Sequence, residues 1–194
     1  MLERIAHFVD SASRRKRWNV ATALTFVLLL AAMLALGKPF ARVVGAPPFD
    51  FQNELTVADI AAQIPAYDAR ARHLYVAISI LDFGFPVAAA LLWALSIARG
   101  LQLGWPDWYA SRVSRPWLAL PFLGTIADWT ENVANLWLVA AAPAVVASAA
   151  QWSVVAKKAK VAMVIPSMSA GLGILALGGA IAVIRSYRAS PRAP

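Results

Sequence analysis

The residues best suited to chemistry lie in one apolar stretch, Leu118 to Ala142. It carries the run Asp128-Trp129-Thr130-Glu131-Asn132-Val133-Ala134-Asn135. At helical spacing Asp128, Glu131, Asn132 and Asn135 occupy positions i, i+3, i+4 and i+7, and so share one face. An ionised Asp at the centre of a spanning helix costs on the order of 2.5–3.5 kcal/mol. Such a stripe must turn toward protein, water or a ligand rather than toward lipid. The preceding apolar segment repeats the theme. Tyr75 and Asp82 are two helical turns apart on one face, and Pro86 removes a backbone hydrogen bond one turn beyond the acid.

Three carboxylates, those of Asp82, Asp128 and Glu131, cannot all be ionised in a low-dielectric pocket without cations. Such a set titrates as a coupled group. Shared protons suit proton relay, cation binding or general acid–base work. They equally suit a static hydrogen-bond network that locks helices together. In either case Asn132 and Asn135 orient the acids, while Tyr75 and Arg72 shape the outer mouth. Asp128 and Glu131 also look like half of a di-metal carboxylate site, but the Glu-x-x-His element that would complete it is missing. His7 and His73 lack metal-ligand spacing and there is no cysteine, so neither a metal nor a cofactor is expected.

The elements that must hold these groups are apolar helices. Of 194 residues 60% are hydrophobic and 14% charged, with a mean hydropathy of +0.62. A soluble domain of this length cannot hide that much apolar surface. The expected fold is all-α: a polytopic membrane protein, built as a four-transmembrane-helix bundle with a short amphipathic helix in its first outer loop. The spans fall at about 18–36, 72–98, 118–142 and 161–184. A basic amphipathic lead covers 1–17, and a cytoplasmic tail covers 185–194. The net charge of +8 does not point to nucleic acid, because the basic residues flank the apolar segments, where they meet membrane lipids.

In the lead, Ile5, Phe8 and Val9 share a face if helical, which suits an interfacial helix on the cytoplasmic leaflet as well as a solvated basic tail. Segment one with its Ala-Leu-Gly ending also fits a cleaved signal peptide. Its length and the following Lys38-Pro39 favour a retained anchor. After Pro39, Gly45, Pro47 and Pro48, Thr56 with Asp59 marks a helix start, with Val57, Ile60, Ala61 and Ile64 on one face and Pro65 ending it. The cluster Trp105, Trp108, Tyr109 and Trp117 reads as a boundary belt rather than a cation cage. In segment four, Ser167–Gly171 and Ser169–Gly173 give small-xxx-small spacing, a face for a homo- or hetero-oligomer.

Counting Lys and Arg beside the segments places both termini in the cytoplasm, eleven inside (Arg115 and Arg192 among them) against seven outside. Lys157, Lys158 and Lys160 are the main dissent. With this orientation Asp82 lies roughly 15 Å below Arg72, level with the polar stripe of segment three.

The pattern Arg72-x-x-Tyr75, Asp82-x-x-x-Pro86, Asp128-x-x-Glu131-Asn132 resembles one in a group of small, uncharacterised bacterial membrane proteins with four spanning helices. The short helix around Thr56 to Ile64 fits the same group. The resemblance covers the middle half of the chain. It implies the fold and the position of the site, and it carries no activity. The expected function is therefore that of an inner-membrane protein whose buried acid–amide site binds a lipid-like or small cationic ligand or relays protons. The alternatives are an intramembrane acid–base enzyme acting on a lipid, in the manner of an isomerase, and a structural or accessory subunit.

Overall fold

The computed structural model describes residues 1–112 and 116–189, so Arg115 and Arg192 of the flank count lie outside the described residues. The described residues are 88% helical, with no strand among them. Among the described residues seven α-helices follow in order: α1 (Leu2–Ser13), α2 (Lys16–Val44), α3 (Val57–Gln63), α4 (Ala69–Gly104), α5 (Pro106–Ala110), α6 (Leu123–Ala141) and α7 (Ala147–Ala189). Short 3-10 turns occupy Phe49–Phe51, Ile64–Ala66 and Pro116–Phe122. Among the described residues α2, α4 and α7 are long and apolar enough to cross a membrane. α6, with its polar stripe, does not reach their apolarity.

The chain divides into two compact units. The first comprises Met1–Leu24, Ala89–Leu123 and Met163–Pro194, and its core brings Ala6, Val9 and Ala12 of α1 against Leu95, Ala98, Tyr109 and Leu118. The stripe on α1 therefore faces protein. Val9 is fully buried while Phe8 is exposed and meets Trp18 edge-on, so the shared face expected for Ile5, Phe8 and Val9 is not the one formed. The chain then reverses into α2 at Arg14-Arg15. There the Asn19 amide donates to the carbonyls of Ser13, at the end of α1, and of Arg15.

Polar contacts hold the same unit together. Asp10 Oδ1 accepts from the Tyr109 hydroxyl at 2.8 Å, from Arg14 at 3.1 Å and from the Gln102 amide at 3.2 Å. Tyr109, expected in a boundary belt, is buried by this contact, and burial above all pushes its hydroxyl pKa up. Trp108 remains exposed. Between α4 and α7 the backbones nearly touch. A Cβ on Gly178 would stand 1.9 Å from the Gly100 carbonyl oxygen, and one on Gly100 would stand 2.4 Å from that of Ile174. Only glycine permits this approach. Gly173 and Gly179, by contrast, have nothing within 4 Å of that position.

The second unit comprises Thr25–Ala88 and Gly124–Ala162. α2 ends where Gly45 turns to φ +81, a left-handed cap whose amide bonds back to Ala41. α3 starts at the expected residue: the Thr56 hydroxyl accepts from Asp59 N, and Asp59 Oδ2 accepts from Thr56 N at 2.9 Å. Ile60 and, just past the end of α3, Ile64 join a core with Phe40, Phe49, Tyr67, Tyr75 and Leu138, while Val57 of the expected face is exposed. α7 begins fourteen residues before the span expected at 161 (147 against 161), because the Ala-rich piece after Pro143 is helical. Lys157, Lys158 and Lys160 thus sit within a helix and not in a loop.

Two predictions follow from these contacts. Gly178→Ala overpacks the α4–α7 crossing and lowers stability by about 1–3 kcal/mol. Gly173→Ala, in open space, raises it by up to about 1 kcal/mol through helix propensity. Thermal unfolding of both variants in mild detergent checks the opposite signs. The Thr56 hydroxyl, and then its amide, hold the Asp59 carboxyl below its ordinary range. A depressed folded value means the α3 cap stabilises above the unfolded pKa of about 3.9 and is lost as pH falls through the folded one. The protection factors of the α3 amides, measured against the intrinsic exchange rate at each pH, should fall at low pH in the wild type and be low at every pH in Asp59→Ala.

Candidate functional site

The second unit gathers the polar groups of α4, α6, α7 and the 3-10 turn Phe49–Phe51. Asp128, Glu131, Asn132 and Asn135 are all buried on one face of α6, and Ile126, Trp129, Val133 and Trp137 are exposed on the other. The stripe read from the sequence is the stripe observed. Asp82 is 3% exposed, and its polar neighbours are Asp50, Asp128, Lys160 and Asn132. The acids of the second and third expected spans therefore face one another. α6 also attends to the backbone around Pro86: Trp129 Nε1 donates to the Phe83 carbonyl at 2.9 Å, and Thr125 to that of Pro86 at 3.1 Å.

The partner that sequence reasoning missed is α7. Lys160 Nζ lies 2.5 Å from Asp128 Oδ1 and 2.6 Å from Glu131 Oε2, and Lys157 Nζ lies 2.6 Å from Glu131 Oε1. These are ion pairs set by proximity, without the directionality of hydrogen bonds at the Glu131 oxygens. One turn farther, Ser153 donates to Asn135 Oδ1 at 2.6 Å. The spacing explains the fit. Asp128, Glu131 and Asn135 step forward by three and four residues, and Lys160, Lys157 and Ser153 step back by three and four. Two antiparallel helices joined by a short connection meet every partner in register. The clue was present in Lys157 and Lys160, whose i, i+3 spacing copies that of the acids. Their assignment to an outer flank is corrected: Lys157 is 2% exposed, and only Lys158 remains on the surface.

Asp50 was also missed. It is carried on the turn between Pro48 and Gln52 and accepts from the Tyr75 hydroxyl at 2.8 Å and from Asn135 Nδ2 at 3.0 Å, one bond to each oxygen. Lys157 Nζ fixes the same turn through the Phe49 carbonyl at 2.9 Å. The sequence signal was an acid between two phenylalanines in a proline-rich loop, where a buried Phe49 drags its neighbour inward. Tyr75, expected above the acids, is fully buried and binds Asp50. Tyr67 is buried beside it with its hydroxyl unpartnered, and burial followed by the Asp50 charge raises its pKa. Arg72 is half-buried and donates to the Ala142 carbonyl at 3.5 Å, at the C-terminal end of α6.

The site thus holds four carboxylates (Asp50, Asp82, Asp128, Glu131) against two ammonium groups. Besides the Tyr67 hydroxyl and the ion-paired Glu131 oxygens, three buried polar atoms in it have no hydrogen-bond partner: Asp82 Oδ2, Asp128 Oδ2 and Asn132 Nδ2. Leaving such atoms unmade costs about 1–3 kcal/mol each. Among the described residues no group of three or more His, Cys, Asp or Glu is arranged to hold a metal ion. The chain matches no family model, no curated protein and no solved structure.

Removing one member of a buried pair leaves an uncompensated charge. Lys157→Met should lower stability by about 3–5 kcal/mol. The double variant Lys157→Met with Glu131→Gln should recover part of it, with a coupling of about 0.5–3 kcal/mol. Thermal unfolding of the two single variants and the double variant gives the coupling directly.

Proposed function

We propose that this chain is an inner-membrane protein with both termini cytoplasmic, whose buried acid–lysine–amide site holds exchangeable protons and relays them. Four spans, α2, α4, α6 and α7, carry it. The sidedness of α6 supports its place among them, because every charged or amide group on it faces protein and its outward residues are apolar or aromatic except Thr130, whose hydroxyl bonds back to the Ile126 carbonyl. Withdrawing Lys157 and Lys160 from the outer flank changes the charge count to eleven against five, which strengthens the orientation.

The observation that carries the functional reading is the charge imbalance. Three buried acids, with the half-buried Asp50 beside them, face two lysines in a helical unit, and two oxygens of the buried acids are left without partners. A buried uncompensated carboxylate is strongly disfavoured, so the excess negative charge is neutralised by cations. The lysines already occupy the Glu131 oxygens and one Asp128 oxygen, which favours a proton over a bulky organic cation. Asp82 and Asp128 are the proton-bearing pair, Asn132 lies beside them as a hydrogen-bond donor, and Glu131 anchors the lysines.

Infrared spectroscopy tests this. The wild type at neutral pH should show a carbonyl stretch of protonated carboxyl groups, and Asp82→Asn or Asp128→Asn should diminish it. Absence of that band in the folded wild type overturns the reading. A lipid-acting isomerase would use the same pair as donor and acceptor. Mass spectrometry of co-purified lipid distinguishes it, since that reading requires one enriched unsaturated species rather than bulk phospholipid.

A further inference from the structure

We propose that Asp50 is the group through which the buried acids exchange protons with the aqueous phase; this rests on the proton-holding reading above. The four acids differ in exposure. Asp82, Asp128 and Glu131 are 3% exposed or less, whereas Asp50 is only half-buried, on a turn outside the apolar helices. It is nevertheless bonded into the site, through Tyr75 of α4 and through Asn135 of α6, whose amide oxygen is in turn held by Ser153 of α7.

The turn is fixed in place. Phe49 stacks on Tyr67 with ring centroids 5.4 Å apart, and its carbonyl binds Lys157. Gln52, just after the turn, exchanges amide bonds with Gln63 of α3 at 2.9 and 3.1 Å. The capped helix α3 therefore braces the turn, and the turn presents one carboxylate to the site. The groups facing Asp50 are Tyr67 and Tyr75 from α4 and the residues before it, Asp82 from α4, Asn135 and Asp128 from α6, and Lys160 from α7.

Of these, the tyrosines and the asparagine exchange protons only as neutral donors, and the lysine is already paired. A half-buried carboxylate on a turn is the acceptor suited to the task. The step is a plain transfer. Hydronium gives a proton to the Asp50 carboxylate and becomes water; Asp50 then gives that proton to a water entering between the acids, the water passes one of its own protons to the Asp82/Asp128 pair, and Asp50 returns to carboxylate. No bond other than O–H forms or breaks. The Tyr75 and Asn135 hydrogen bonds hold Asp50 in position without supplying the proton.

Hydrogen–deuterium exchange of the protonated-carboxyl infrared band after mixing with heavy water tests this, with thermal unfolding confirming that each variant is folded. Asp50→Asn keeps the shape and an acceptor for Tyr75, and should slow exchange by about 100-fold, the lower end of what a positioned acid–base group contributes. Asp50→Glu should restore most of the rate. Tyr75→Phe removes a hydrogen bond but no proton acceptor, and should exchange near the wild-type rate. A band that exchanges at the wild-type rate in folded Asp50→Asn overturns the role of Asp50 alone. So does an equal slowing in Tyr75→Phe, which would reduce the effect to integrity of the turn. A wild type with no protonated-carboxyl band overturns the underlying reading instead.

Discussion

The second unit depends on the antiparallel pairing of Asp128 and Glu131 on α6 with Lys160 and Lys157 on α7. Each charge alone would be intolerable in an apolar interior, and together they are tolerable only in one register. Sliding α7 by one residue would move both lysines off the acid face and leave four charges unpaired. The pairing therefore contributes specificity more than net stability, because desolvation of the ions offsets most of their attraction. The Asn135–Ser153 bond and the burial of Leu138, Ala149 and Ala150 continue the same register with neutral groups.

That pairing also decides what the turn Phe49–Phe51 can do. Lys157 spends one contact on Glu131 and another on the Phe49 carbonyl, so the charge ladder and the loop are locked by one ammonium group. The aromatic cluster of Phe40, Phe49, Tyr67 and Tyr75, with ring centroids 5.3 to 6.0 Å apart, closes round the turn from the apolar side. An acid is thereby kept beside the buried site from a position on a loop, where a carboxylate is inexpensive to solvate.

The first unit solves a different problem by a different means. It has no buried ion ladder among its described contacts. It relies on backbone approach at Gly100 and Gly178, and on one acid, Asp10, that ties α1 to α4 and α5 through Gln102 and Tyr109. Small residues give close packing where lipid offers no hydrophobic drive between helices. Gly171 and Gly178 serve that contact inside the chain, which leaves Gly173 and Gly179 as the open part of the small-residue face.

Much of this was legible in the residues themselves. Apolar run lengths gave the helices, the Thr56–Asp59 pair gave the start of α3, and the i, i+3, i+4, i+7 spacing gave the buried face of α6, because periodicity is a local property of the chain. The partners of that face were not local. Lys157 and Lys160 read as a surface cluster because a lysine beside an apolar segment looks the same whether it faces headgroups or an acid. Asp50 read as one more polar loop residue because nothing within a few positions shows that its loop folds inward. Sequence alone determined that the acids of α4 and α6 share faces that must turn toward protein; only the tertiary structure decided which cations and which fourth acid meet them, since that choice depends on the register between helices rather than on the pattern within one.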